Sequence, residues 1–258
     1  MGLFFGLGAF VVTTGAFVAI VTASDRDFRL QDTGDTFDKV ASVAKWSDRR
    51  LKAATEGAPL PDPPSVYADV VSIKIGFATT LVYEALLVGA VAVTTQQLGA
   101  RRLLRTFGMG RYSFDDLWRP AVAVVAAYVA VAGYAAAMKA LGISALEPQS
   151  TVPEAVTRDT LALALAGVLA CLAAPLSEEL FFRGLVFTGL LRWGFFPAAA
   201  VSAGLFTLAH LDVGSLIPFF FVGMTMAWLY WSKGNLWDSV AFHVMFNTTS
   251  YLLLLARV

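Results

Sequence analysis

Residues 160–192 read TLALALAGVLACLAAPLSEELFFRGLVFTGLLR. This run is longer than the ~20 apolar residues that cross a hydrocarbon core. A proline and three ionisable residues lie near its middle, namely Pro175, Glu178, Glu179 and Arg183. A proline inside a helix removes a backbone donor and kinks the helix. The sequence therefore predicts a long, kinked membrane helix with ionisable side chains inside the bilayer.

The remainder of the chain also has the composition of a membrane protein. Apolar residues make up 57% of the 258 residues and charged residues only 15%, whereas soluble domains contain about 45–50% apolar residues. Seven apolar stretches are candidate spans: residues 3–23, 70–95, 120–140, 160–192, 195–211, 214–232 and 236–256. We predict an all-α, polytopic membrane helix bundle of about seven transmembrane helices. It forms one domain over residues 1–258, with N-terminal spans and polar loops in 1–150 and the ionisable helices in 151–258.

Charge and cysteine content exclude several classes of function. The formal net charge is zero, so there is no basic field that would attract nucleic acid. Cys171 is the only cysteine, which excludes a disulfide framework and a cysteine-rich metal site. We interpret Cys171 as a small core residue.

Basic residues predict the orientation of the spans. The connection between the second and third spans contains five arginines, Arg101, Arg102, Arg105, Arg111 and Arg119. By the positive-inside rule this connection is cytoplasmic, which puts the N-terminus inside and the C-terminus outside. Residues 24–69 disagree, because they carry seven Lys and Arg residues on the predicted external side. Residues 3–23 have no Lys or Arg before them and exceed the length of a signal-peptide core, so we predict a retained span.

The two adjacent glutamates are predicted to have different roles. Their side chains point about 100° apart on a helix. Arg183 follows Glu179 by four residues, the order that favours an ion pair on one helix face. Glu178 has no local cation, and Ala174 and Phe182, one turn away, are apolar. We therefore predict that Glu179 and Arg183 support the structure and that Glu178, a desolvated carboxylate, accepts a proton from water. The alternative is a polar network that only holds helices together.

Both histidines of the chain lie in apolar segments downstream. His210 ends the sequence FTLAH, and His243 begins the sequence HVMFN, in which Asn247 lies one turn later on the same face. If the fourth and fifth spans form a hairpin near Gly194, then Glu178 precedes the turn by 16 residues and His210 follows it by 16. Both then lie ~24 Å from the turn. We predict that these polar residues form one site inside the bilayer.

Two kinds of chemistry fit this set of residues. In the first, Glu178 activates a water that His210 helps to position. His243 and Asn247 then donate hydrogen bonds to a developing oxyanion. In the second, Glu178, His210 and His243 bind a divalent metal such as zinc. Neither histidine has the HExxH spacing of a helical zinc site, so no cofactor is certain and metal dependence stays open.

Three motifs on successive apolar helices resemble a known family. They are EExxxR from Glu178 to Arg183, FxxxH from Phe206 to His210, and HxxxN from His243 to Asn247. In this order they resemble the CPBP (Abi) family of intramembrane proteases, which includes the type II CAAX prenyl endopeptidases. The resemblance covers about the last hundred residues.

The resemblance implies an all-α membrane fold with a cavity open to one aqueous side, and hydrolysis of peptide bonds. It implies Glu178 as the general base, supported by Glu179 and Arg183. It implies His210, His243 and Asn247 as catalytic partners. The implied partners are membrane lipid and a peptide or protein substrate, lipidated or membrane-embedded, and no nucleic acid. The Ala-, Val- and Arg-rich composition indicates a GC-rich prokaryote, so we expect an integral protein of a prokaryotic cell membrane.

Two other functions compete with the protease. A non-proteolytic membrane scaffold of the same fold is one, although the complete set of motif residues argues against it. A proton-coupled transporter is the other, in which buried Glu, Arg and His side chains form a relay. Such transporters often have inverted repeats and paired broken helices, and the sequence shows neither.

Overall fold

The computed structural model describes residues 70–110, 112–143, 146–148, 154–210 and 214–256, with scattered positions between 45 and 61. Every regular element in these segments is helical. The predicted all-α class and membrane helix bundle are therefore confirmed. The predicted first span, residues 3–23, lies outside the described residues.

Seven helices in the described segments carry the architecture. They are α1 Val70–Thr94, α2 Ala100–Thr106, α3 Trp118–Ala140, α4 Thr160–Trp193, α5 Phe195–Ala209, α6 Leu216–Lys233 and α7 Leu236–Leu255. A short 3-10 turn, Phe114–Asp116, precedes α3, and a helical turn, Glu154–Thr157, precedes α4. The six predicted spans that fall on described residues each coincide with one helix to within a few residues.

Three helical stretches of the described segments are long and apolar enough to cross a membrane: Ile73–Thr94, Phe114–Ala140 and Thr160–Trp193. α5 is apolar but has only 15 residues, while α6 and α7 have 18 and 20. α4 has 34 residues, which gives a length of ~50 Å against a hydrocarbon core of ~30 Å. α4 therefore tilts or extends beyond the core.

α4 is distorted next to Pro175, as predicted. A π-helical turn occupies Leu169–Ala173, and the N–H of Ala174 donates to the carbonyl of Leu169, five residues earlier. In the same register the next donor would be Pro175, which has no N–H to offer Ala170. Nδ2 of Asn247 on α7 instead donates to the Ala170 carbonyl at 2.9 Å. A side chain of α7 thus satisfies the carbonyl that the proline leaves unpaired.

Two glycines form the tight turns among the last four helices. Gly194, with φ +91°, joins α4 to α5 at the predicted hairpin position, and Gly234, with φ +64°, ends α6. Both lie in the region of positive φ that favours glycine. Asn235 then caps α7, since its Oδ1 accepts the N–H of Trp237 at 3.0 Å.

The basic connection between α1 and α3 packs against the α6–α7 turn. Gly108 lies so close to this turn that an added Cβ would be 2.1 Å from the carbonyl oxygen of Gly234. Arg119 at the start of α3 forms an ion pair at 3.2 Å with Asp238 of α7, whose side chain is fully buried. These contacts hold α2 and α3 to the helices that carry the motifs.

Candidate active site

Glu179 and Arg183 form a fully buried ion pair in the middle of the bundle. Arg183 Nη1 donates to Glu179 Oε1 at 2.7 Å, and neither side chain is exposed. Arg183 Nη2 donates to the carbonyl of Gly223 on α6 at 3.2 Å. Its guanidinium also lies 4.5 Å from the ring centroid of Phe206 on α5, a cation–π distance. The predicted ion pair is present, and it connects α4 to both α5 and α6.

Glu179 also holds His243. The Nδ1 atom of His243 lies 3.0 Å from Glu179 Oε1, and Ser239 Oγ donates to Glu179 Oε2. Because an ionised carboxylate can only accept, the proton of this bond belongs to Nδ1 of His243. Ser239 and His243 are four residues apart and share one face of α7. Glu179 therefore orients the histidine, a role that the sequence prediction did not include.

Glu178 and His243 face each other across a short gap. Glu178 Oε2 lies 3.9 Å from His243 Nε2, and 16% of the Glu178 side chain is exposed. This oxygen is buried and has no hydrogen-bond partner in the described part of the chain. The distance is too long for a direct hydrogen bond, and it suits one water or substrate oxygen between the two atoms.

A third carboxylate, Glu84 of α1, lies next to this pair of glutamates. Only 4% of Glu84 is exposed, and its Oε2 lies 2.5 Å from Oγ of Ser177, the residue before Glu178. Glu84 is close enough to Glu178 to interact with it electrostatically. Sequence reasoning missed Glu84, although an acid inside an apolar span is itself a signal of function.

His210 lies at the C-terminal end of α5, against the same phenylalanine as His243. Its ring centroid is 4.6 Å from that of Phe206 and 4.8 Å from that of Phe219. The Phe206 ring is also 5.8 Å from the ring of His243. His210 Nδ1 lies 2.8 Å from the Phe206 carbonyl oxygen. In the described segments no hydrogen bond or ion pair joins His210 to Glu178 or His243.

Asn247 lies one turn beyond His243, and its amide is bound to the backbone of α4 at Ala170. It makes no hydrogen bond to Glu178 or His243 in the segments described. Thus the structure brings Glu178 and His243 together, with Glu179 and Arg183 behind them. His210 and Asn247 make no hydrogen bond to either residue in the described segments, so their convergence on one site stays a prediction.

The predicted metal ligands do not form a cluster. Among the described residues, no three His, Cys, Asp or Glu side chains lie close enough together to bind one ion. Of the proposed set, His210 and His243 both pack against the ring of Phe206. Metal dependence therefore stays open to experiment.

Comparisons with known proteins match the segment that carries the three motifs. The family model described as "Type II CAAX prenyl endopeptidase Rce1-like" matches residues 160–249. A Bacillus subtilis (strain 168) protein named "Putative membrane peptidase YdiL" is 27% identical over 128 residues, which are 46% of this chain and 52% of that protein. The chain thus spans about half the length of this curated relative. No solved structure matches the chain.

The family match includes Glu178, Glu179 and Arg183 on α4, the histidine that ends α5, and the HxxxN motif of α7. It therefore falls on the helices that form the buried site. The matched segment is therefore similar to the type II CAAX prenyl endopeptidases, in agreement with the resemblance to the CPBP family that the three motifs carry.

Proposed function

We propose that this protein is an intramembrane endopeptidase in which Glu178 activates the water that attacks the peptide bond. One observation carries the proposal. His243 is held through Nδ1 by Glu179 at 3.0 Å, and its Nε2 is directed at the unpartnered Glu178 Oε2 at 3.9 Å. A base and an oriented imidazole that one water oxygen can bridge are the parts that water activation requires.

The proposed reaction needs no group other than side chains and water. Glu178 takes a proton from the water as its oxygen attacks the carbonyl carbon of the substrate. His243, protonated at both ring nitrogens between two carboxylates, donates its Nε2–H to the developing oxyanion. The proton on Glu178 then passes to the leaving nitrogen as the C–N bond breaks. The products are a carboxylic acid and an amine.

His210 and Asn247 are proposed to assist this reaction. His210 uses Nδ1 at the Phe206 carbonyl, so its Nε2 is free to hold the attacking water. Asn247 uses one amide hydrogen at Ala170, and its second is available to the oxyanion. Both roles require substrate to bring the groups together, as catalytic contacts often tighten only in the complex.

The substrate class we propose is a membrane-embedded or lipidated peptide segment. The reacting groups lie on α4 and α7, in the apolar part of the bundle, so an extramembrane peptide would have to enter the bilayer to reach them. The family description names prenylated CAAX substrates, whereas a prokaryotic membrane favours other substrates.

Cleavage of a peptide library by the purified protein tests the function. We expect cleavage by the wild type and none by Glu178→Gln, which removes the base but keeps the side-chain volume and the melting temperature. The matched control is Glu147→Gln, a glutamate outside the spans, which should cleave normally. Wild-type rates in Glu178→Gln would end the proposal.

The same preparation separates the other possibilities. A chelator titration should leave the rate unchanged if only side chains act, and loss of activity restored by zinc would instead identify a metal enzyme. A protein that transports protons in liposomes without cleaving peptides would be a transporter. Neither cleavage nor transport would favour a scaffold.

A further inference from the structure

Glu84 is a buried acid for which the proposed reaction has no role. It lies in the middle of α1 with 4% of its surface exposed. None of the ion pairs between described residues includes it. Among the described residues its hydrogen-bond contact is with Ser177 Oγ at 2.5 Å. An ionised carboxylate buried without a cation is costly, whereas a neutral carboxylic acid in the same place is not.

The contacts of Ser177 indicate which oxygen carries the proton. Ser177 Oγ lies 2.5 Å from Glu84 Oε2, 2.7 Å from the Ala173 carbonyl and 3.2 Å from the Ala174 carbonyl. The hydroxyl has one hydrogen, and a carbonyl can only accept. If Ser177 donated to Glu84, the 2.7 Å contact with Ala173 would have no hydrogen. If Glu84 is protonated and donates to Ser177, the hydroxyl is free to donate to Ala173, a common helix contact. Only this second arrangement supplies a hydrogen to both short contacts.

The charges around Glu84 lead to the same conclusion. Glu84 interacts electrostatically with Glu178, while the permanent cation beside the two adjacent glutamates, Arg183, is bound to Glu179. Two neighbouring carboxylates in an apolar setting do not both ionise readily, and such a pair retains one proton.

The other chargeable groups do not neutralise Glu84. Tyr83 lies next to it on α1, and His243 of α7 is bound to Glu179. Lys74 is ten residues earlier on α1, ~15 Å along the helix, where it pairs with Asp159 at 3.1 Å. The doubly protonated His243 of the proposed reaction lies 3.9 Å from Glu178 and favours its ionised form, which leaves the shared proton on Glu84.

We propose that Glu84 is a positioning residue of this site. It is a neutral carboxylic acid that donates a hydrogen bond to Ser177, and Glu178 is thereby left as the ionised base. The proton stays on Glu84 because Ser177 accepts from it, while Glu178 has no comparable acceptor beside it. The importance for catalysis rests on the proposed function, but the protonation of Glu84 is measurable without catalysis.

Infrared spectroscopy of the purified protein at neutral pH tests the protonation directly. The C=O stretching band of a protonated carboxylic acid should be present in the wild type and missing from Glu84→Gln, whose amide is neutral and nearly isosteric. Glu147→Gln, which changes a glutamate away from the site, should keep the band. Ser177→Ala retains Glu84 but removes its acceptor, so the band should shift in frequency. A band that neither Glu84→Gln nor Ser177→Ala alters would overturn the proposal.

The separate effects on kcat and KM test the positioning role. In Ser177→Ala the proton is no longer confined to Glu84 and lies on Glu178 in part of the molecules, so kcat at neutral pH should fall several-fold while KM stays unchanged. In the double variant Glu84→Gln/Ser177→Ala there is no second acid to share the proton, and kcat should match that of Glu84→Gln. A purely structural role for Ser177 would lower the melting temperature and leave kcat per folded molecule unchanged, which would refute positioning.

The two proposals fail in different ways. An infrared band that belongs to Glu84, in a protein that cleaves no peptide, would refute the protease and keep the protonated Glu84. Cleavage that depends on Glu178, in a protein without such a band, would keep the protease and refute the protonated Glu84.

Discussion

Arg183 should tolerate substitution poorly, because it donates to two acceptors on different helices. Nη1 binds Glu179 of α4 and Nη2 binds the Gly223 carbonyl of α6. Arg183→Ala removes the permanent cation from the fully buried carboxylate of Glu179, which keeps only Ser239 and His243, and this should cost about 3–5 kcal/mol. Arg183→Lys keeps the charge, but its single nitrogen cannot reach both acceptors.

In thermal melts in detergent we expect the wild type to have the highest melting temperature, Arg183→Lys a lower one and Arg183→Ala the lowest. The control is Arg192→Ala at the exposed end of α4, which should change the free energy of unfolding by less than about 0.5 kcal/mol. If Arg183→Ala had the melting temperature of the wild type, the Glu179–Arg183 ion pair would not stabilise the bundle.

Glu179 connects stability to catalysis, since one carboxylate accepts from Arg183, Ser239 and His243. Glu179→Gln replaces one carboxylate oxygen with an NH2 group, which is a donor and faces other donors. We expect a lower melting temperature together with a fall in kcat on the order of 10²-fold, because His243 is no longer held in position. Rates must be normalised to folded protein. Wild-type kcat per folded molecule would show that Glu179 does not orient the histidine.

At the scale of elements, α5 and α6 are closely packed at Gly223. A Cβ added there would lie 2.8 Å from Ala203 Cβ and 3.2 Å from Arg183 Nη2. Gly223→Ala should therefore push α6 away from α5 and cost about 1–3 kcal/mol. Gly204→Ala on α5 is the matched control, since a Cβ there meets nothing within 4 Å, and its melting temperature should be unchanged or higher. Equal melting temperatures for both variants would contradict this packing.

The contact between α7 and α4 predicts that one substitution restores stability lost through another. Asn247→Leu removes the donor to the Ala170 carbonyl, and a buried carbonyl without a partner costs about 1–3 kcal/mol. Pro175→Ala supplies a backbone N–H in the register that the proline interrupts. We expect Asn247→Leu to lower the melting temperature and Pro175→Ala to restore part of the loss in the double variant. Purely additive effects of the two substitutions would exclude this relation between the proline and the asparagine.

The elements themselves were predictable, because hydrophobic length and turn residues are local properties of a sequence. The turn at Gly194 lies where the sequence predicted it, and the last two spans end and begin within a few residues of the predicted bounds. The Glu179–Arg183 pair was predictable for the same reason, since both residues belong to one helix face. The contact of Glu84 with Ser177 was not, because it joins helices 93 residues apart in the chain. Periodicity shows which face of a helix is polar but not which helix lies opposite.

At the scale of the whole molecule, the contacts place the ends of the helices on two sides. The α1–α3 connection contacts the α6–α7 turn, and Lys233 and Asp116 form an ion pair there. The opposite side contains the beginning of α1 and the beginning of α4, where Lys74 pairs with Asp159. The basic side contains Arg101, Arg102, Arg105, Arg119, Arg192 and Lys233.

The basic side is therefore predicted to be cytoplasmic. Leu98 on this side is 82% exposed, and Leu141 on the other side is 66% exposed, so either position would present a cysteine to reagent. In a Cys171→Ala background, we expect a membrane-impermeant maleimide to label Leu141→Cys in intact cells and to label Leu98→Cys only in inverted vesicles. Wild-type cleavage activity in both variants is the control for folding. The opposite labelling would mean that the seven basic residues of 24–69 set the orientation instead, and that the site faces the other compartment.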